Sequence, residues 1–263
     1  MATGYRSQDE HPGLTMSPPP ALSELLAAPL EVERLLALAA TAPDLPRRLG
    51  IISSALMGRP YLAGSLVGGP DEPERVVTRL DAFDCVTYCD AVIALATAAD
   101  PQDYGRRVTA LRYERGVVGW ASRNHYTHSW LARNVAAGLL ETLLPEGWTD
   151  VGAPRSLDIL EGYPALPWQP RYLPWSPATQ REIEAHARSG DWLGFISHRP
   201  RLDTFHVGLL ICDGDLSVRH ASLSRGRVIQ EPLASCMVDW DVPGLLVARP
   251  LPPPPLPPPG VPT

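Results

Sequence analysis

The spacing of apolar positions divides the chain into a helical first half and a β-rich second half. Leu22 to Ala40 is rich in Leu and Ala with acidic residues at helical spacing, and Leu45 to Met57 reads as a second helix stopped by Gly58-Arg59-Pro60. The clearest helix spans Cys85 to Ala99. There Val86, Cys89, Val92, Ile93 and Ala96 recur at three and four residues, and Asp84 stands in front as an N-cap. Trp130 to Leu144 reads as a further amphipathic helix. From Gly190 the period shortens. Trp192 to Ser197, Phe205 to Cys212, Leu216 to Ala221 and Arg227 to Glu231 are apolar or alternating runs, with Leu245 to Arg249 as a last strand. Asp213-Gly214-Asp215 and Ser224-Arg225-Gly226 supply turns between them. Helices first and an antiparallel sheet afterwards predict an α+β fold.

Proline sharpens the domain boundaries. Many of the 30 prolines cluster at residues 1–20 and 251–263, predicting extended or disordered ends around a single domain over 21–250. A third proline-rich stretch, Tyr163 to Pro177, also carries Trp168, Tyr172 and Trp175, and so reads as an ordered connector packed on the domain. With 44% hydrophobic residues, 263 residues can bury a sizeable core. A net charge of −6, with the arginines scattered, argues against a nucleic-acid partner. No stretch reaches the roughly 18–20 apolar residues of a membrane span, and the N-terminus lacks the apolar core of a signal peptide. The expectation is a cytoplasmic protein without a membrane partner. The four cysteines show no zinc or disulfide spacing, so reduced thiols and no metal or other cofactor are expected.

Two features carry candidate chemistry. A thiol at the first position of a helix, as at Cys85, meets the positive end of the helix dipole, which favours the nucleophilic thiolate. Asp84 beside it acts in the opposite direction. Taken alone, the same position also suits a small buried hydrophobe. On the β side, Thr204-Phe205-His206-Val207-Gly208 opens a strand and Arg219-His220-Ala221-Ser222 lies on the next. A three-residue turn at Asp213–Asp215 would pair Cys212 with Leu216 and Gly208 with His220. His206 and His220 would then be diagonal neighbours on one face; a two- or four-residue turn would separate them. The turn residues allow either, and two structural histidines remain an alternative. His125 and His128, three apart, lack a third ligand at metalloprotease spacing.

Seven stretches, in order over roughly residues 45–250, resemble one family. They are Gly58-Arg-Pro-Tyr-Leu-Ala-Gly-Ser-Leu66, Phe83-Asp-Cys-Val-Thr-Tyr88, Leu111-Arg-Tyr113, Ser122-Arg-Asn-His-Tyr126 with Trp130, Gly190-Asp191, His206-Val-Gly208 and His220-Ala-Ser222. The chain resembles the N-acetylmuramoyl-L-alanine amidase-like branch of the NlpC-type, papain-fold cysteine peptidases, a bacterial group. Asp90 stands where that family usually carries Glu, and Cys89 where an apolar residue is usual. The resemblance implies a papain-like fold, with the catalytic Cys at a helix start packed on a C-terminal antiparallel sheet or partial barrel. It implies Cys85 as nucleophile, His206 as general base and His220 as the residue that orients it. It also implies a substrate cleft lined by Arg123, His125, Tyr126, Trp130 and Ser222.

The implied reaction is amide cleavage through a thioester, on a muramyl-L-alanine or related small amide. The same machinery would serve an acyltransferase that passes the acyl group to an amine or carrier-bound acceptor. A non-catalytic scaffold presenting its Pro-rich tail is a further reading.

Overall fold

The computed structural model describes residues 21–143 and 150–252. The Pro-rich ends expected over 1–20 and 251–263 lie outside the described residues, apart from Leu251 and Pro252.

The helical half begins as two helices where the sequence suggested one: α1 (Leu22–Leu25) and α2 (Pro29–Ala39). Pro29 opens α2, where its missing N–H has no intrahelical partner to lose, and its ring disfavours helical geometry in the residue before it. Next come α3 (Leu45–Ala55), capped by Asp44, and α4 (Cys85–Thr97), capped by Asp84. Periodicity did not single out α5 (Pro101–Arg112), whose Asp100 cap accepts from the Asp103 N–H. Helix α6 (Thr127–Ala136) is shorter than the 130–144 expected. Gly138, at φ +69°, ends it, and the chain turns into β1 (Leu140–Thr142).

The strands that follow are β2 (Asp150–Val151), β3 (Arg155–Leu157), β4 (Leu166–Trp168), β5 (Arg171–Pro174), β6 (Trp192–Ile196), β7 (Thr204–Ile211), β8 (Ser217–Ser222), β9 (Arg227–Pro232) and β10 (Gly244–Pro250). Helix α7 (Pro177–His186) precedes β6, and α8 (Leu233–Asp239) lies between β9 and β10. The main sheet runs β2-β5-β10-β6-β7-β8-β9, with β1 also on β10. Every pairing between these strands is antiparallel. The connector at 163–177 is ordered as expected and goes further, supplying β4 and β5.

Both faces of the sheet are covered. Val207, Leu209, Ala221, Leu246 and Ala248 share one apolar core with α2 to α6. Phe195, Leu210, Val218, Leu245 and Val247 share another with Ile183 of α7 and Leu233, Cys236 and Met237 of α8. That is why β6 is buried along its whole length. Gly190 allows the sheet to approach α3: it has φ +94°, and a Cβ there would lie 2.4 Å from that of Leu49. Asp191 beside it receives two hydrogen bonds from Arg249 of β10, at 2.9 and 2.8 Å. No helix among the described residues is long and apolar enough to cross a membrane.

Candidate active site

Asp84 fixes the start of α4. Its Oδ1 accepts from the Thr87 N–H at 2.7 Å, while its own N–H donates to Thr87 Oγ1 at 3.0 Å, a reciprocal capping box. Ser65 Oγ donates to the second carboxylate oxygen at 3.0 Å. With all these acceptor positions used on backbone and hydroxyl, Asp84 serves geometry. Cys85 follows, partly exposed, as the first helical residue. The N–H groups of Cys85, Val86 and Val207 favour its thiolate. Burial and the adjacent Asp84 outweigh them and push the thiol up to about 12. Desolvation of the anion thus opposes the low-pKa thiolate expected from the helix dipole.

Val207 joins this thiol to the histidines. The described β7–β8 pairing runs from Ile211–Ser217 to Leu209–Arg219, which leaves Cys212 opposite Leu216 and a three-residue turn between them. The strands part beyond Leu209, next to the sulfur that the Val207 N–H approaches. The parity puts His206 and His220 on one face, with His206 Nε2 2.7 Å from His220 Nδ1 and the rings nearly perpendicular at 88°. Gly208 is needed for this approach: a Cβ there would lie 2.5 Å from Val218 Cγ2 and 3.3 Å from His220 Cβ.

Two further residues complete the cluster, and the sequence reading singled out neither. Glu231 of β9 places Oε2 3.1 Å from His220 Nε2. Trp240, just after α8, stands edge-on to both imidazoles, with centroids 5.2 and 5.4 Å away. The register His220–Ile229 makes Glu231 a diagonal neighbour of His220. The parity test used on the first hairpin would have found it. Nothing local in the sequence marks Trp240.

The proton positions follow from these contacts. Burial lowers His206 to about 3, and it also lowers His220, so both rings are neutral near pH 7. A carboxylate can only accept, so His220 carries its hydrogen on Nε2 and offers the Nδ1 lone pair. His206 must then donate through Nε2, which leaves its Nδ1 free as a base.

The residues expected to line a substrate cleft sit differently. Trp130 is 5% exposed, stacks on Trp192 at 5.0 Å, and donates to Asp90 Oδ1 at 3.1 Å; it belongs to the core. Arg123 is buried against Glu74 (2.8 Å) and lies over Trp120 (4.6 Å), so its guanidinium is engaged internally. Tyr126 is buried. Ser222 is buried too, with Oγ 3.1 Å from Ser224 Oγ. His125 is half-buried, with Nε2 2.8 Å from the Trp120 carbonyl and its ring between Trp120 and Tyr163. His128 stacks on Trp168 instead, so the two histidines face different surroundings.

Burial pushes His125 down to about 4. With a folded value below the unfolded one, the unfolded chain binds the extra proton first as pH falls. Stability should decline between pH ~6.5 and ~4. In His125→Gln that decline in melting temperature should be shallower; an identical slope would exclude His125 as its source.

A model of the N-acetylmuramoyl-L-alanine amidase-like family matches residues 51–241. No curated protein matches the chain. Among solved structures, a Legionella pneumophila protein superposes with TM-score 0.71 at 22% identity, covering 85% of this chain and 94% of its own. Two structures of an N-acetylmuramoyl-L-alanine amidase from Bacteroides uniformis superpose with TM-scores of 0.64 and 0.63 at 22% and 21% identity. They cover 75% and 84% of this chain and 96% and 98% of theirs. At this identity the superpositions establish a shared α+β fold. The match over residues 51–241, by contrast, takes in α4 and the strands that carry both histidines and Glu231, and the chain belongs to the N-acetylmuramoyl-L-alanine amidase-like family.

Proposed function

We propose that this protein is a cysteine amidase with a papain-like site, cleaving the amide between the muramyl lactyl group and L-alanine in peptidoglycan fragments. The observation that carries the mechanism is the aligned chain Glu231–His220–His206, with Val207, next to His206, directing its N–H at the Cys85 sulfur. The family supports the substrate class.

In this reading His206 Nδ1 takes the Cys85 proton as the sulfur attacks the lactyl carbonyl. A neutral thiol beside a neutral imidazole suits a general base acting during attack, without a standing thiolate. The Cys85 N–H is positioned as an oxyanion donor, a contact worth ~2.7–4 kcal/mol in other acyl-transfer enzymes. His206 then returns the proton to the departing alanine nitrogen. A water, deprotonated by His206 Nδ1, opens the thioester. The products are a muramyl carboxylate and a peptide with a free N-terminal alanine.

The test is incubation with a muramyl-L-alanyl peptide, followed by mass spectrometry. Cleavage at the lactyl–alanine bond is expected; cleavage only within the peptide would reassign the protein as a peptidase. Glu231→Gln tests the orienting chain, because the amide can donate to or accept from His220 and no longer selects one tautomer. A fall in kcat of about tenfold or more is expected, with little change in KM. Unchanged kcat would remove Glu231 from the mechanism.

A further inference from the structure

A His220 ring nitrogen, a Glu231 carboxylate oxygen and Cys236 Sγ lie within 4.8 Å of one another, on β8, β9 and α8, and Nε2 is the His220 nitrogen that faces Glu231, at 3.1 Å. The mechanism uses two of these residues and leaves Cys236 without a role. We propose that the three form an inhibitory site for a divalent transition-metal ion, zinc above all, which switches off His206 by reversing its tautomer.

The donor set points to the metal. One imidazole, one carboxylate and one thiolate form the mixed nitrogen, oxygen and sulfur set that zinc accepts, whereas calcium and magnesium require oxygen. Zinc–ligand bonds of about 2.0–2.3 Å set donor atoms roughly 3.5 Å apart in a tetrahedron, so the site closes by movements of about an ångström. Separate elements carry the three residues. His220 and Cys236 are buried at 1% and 2% exposure, while the Glu231 side chain reaches the surface at 28%. Glu231 is thus the entrance, and the fourth position is left to water.

The consequence for His206 follows from the hydrogen bonds. Metal on His220 Nε2 displaces the hydrogen that Glu231 held there, so a neutral His220 must carry its hydrogen on Nδ1. Across the 2.7 Å contact His206 Nε2 must then accept, and the His206 hydrogen moves to Nδ1. The atoms balance. The His220 Nε2 proton leaves to solvent, the shared proton passes from His206 to His220, and His206 Nδ1 takes one up. Cys236 releases its thiol proton, so one proton is lost per ion bound. His206 then presents N–H to Cys85 in place of a lone pair and cannot accept the thiol proton.

The effect on catalysis rests on the proposed amidase reading; the binding itself does not. Competition with a chromophoric zinc chelator should show one ion bound per chain in the unaltered protein and in Cys85→Ala. Binding should be at least tenfold weaker in Cys236→Ser and in Cys236→Ala, each first checked for an unaltered melting temperature. Amidase turnover should fall in step with occupancy and return with a chelator such as EDTA. At the same zinc concentration the Cys236 variants should keep turning over. Undiminished zinc binding by both Cys236 variants would overturn the site, as would its loss in Cys85→Ala, which would place the ion on Cys85 and His206. Full activity of the zinc-loaded protein would overturn the tautomer switch. A protein that binds zinc as expected but cleaves no muramyl amide would sink the amidase reading and leave the metal site standing.

Discussion

Cys85→Ala should abolish amide hydrolysis, lowering kcat by about 10³-fold or more, while leaving the melting temperature within a few degrees of the parent. The loss is large because no other cysteine is placed to form the thioester: Cys89, one turn further along α4, and Cys236 of α8 are buried, and Cys212 follows the far end of β7 from His206. The fold should survive because Cys85 is partly exposed, the substitution removes one atom, and the Asp84–Thr87 capping box does not involve its side chain. Cys89→Ala is the matched control. It should keep turnover while losing some stability from the small cavity it opens. Equal loss of activity in both variants would mean that α4 is simply sensitive to change and that Cys85 has no special role.

Asp90→Ala should give the largest loss of stability, about 3–5 kcal/mol, which at this chain length is a fall in melting temperature of roughly 10 °C. Asp90 is fully buried, accepts from Arg112 Nε at 3.0 Å and from Trp130 Nε1 at 3.1 Å, and lies one turn beyond the proposed nucleophile. Its removal leaves the Arg112 guanidinium buried against the Val77 carbonyl, an acceptor without charge. Replacing both members by apolar residues, as in Asp90→Leu with Arg112→Met, should cost much less than the single change, because no buried charge is then stranded. Chemical denaturation of the three variants checks this. A cost below about 1 kcal/mol for Asp90→Ala would show that the buried pair does not hold this part of the core together.

How much of this was legible in the sequence depends on the range of the interactions involved. Helix α4 was visible with its cap, since both are written within a few residues. The strands β6 to β10 were visible because alternation and turn residues are local too. The His206–His220 contact could be framed only as a parity question, because Asp213-Gly214-Asp215 permits more than one turn; the observed register answers it. Glu231 lay one hairpin further and needed the same test again. What the sequence did not show was the surroundings of its conspicuous side chains. Arg123 and Trp130 stand out by type, but Glu74 and Asp90 claim them, from 49 and 40 residues away. Long-range pairing of that kind leaves no local pattern. The environment of Cys85 was hidden for a related reason: the helix dipole can be read from the sequence, whereas the desolvation that opposes it depends on how the chain packs.

The most direct test of the account is the covalent intermediate. The protein should be mixed with a muramyl-L-alanyl peptide, quenched in acid within the first turnovers, and measured by intact mass and peptide mapping. The account predicts a mass increase equal to the muramyl acyl group, confined to the peptide that carries Cys85 and removed by hydroxylamine. Turnover with no adduct at Cys85, persisting in Cys85→Ala, would contradict it.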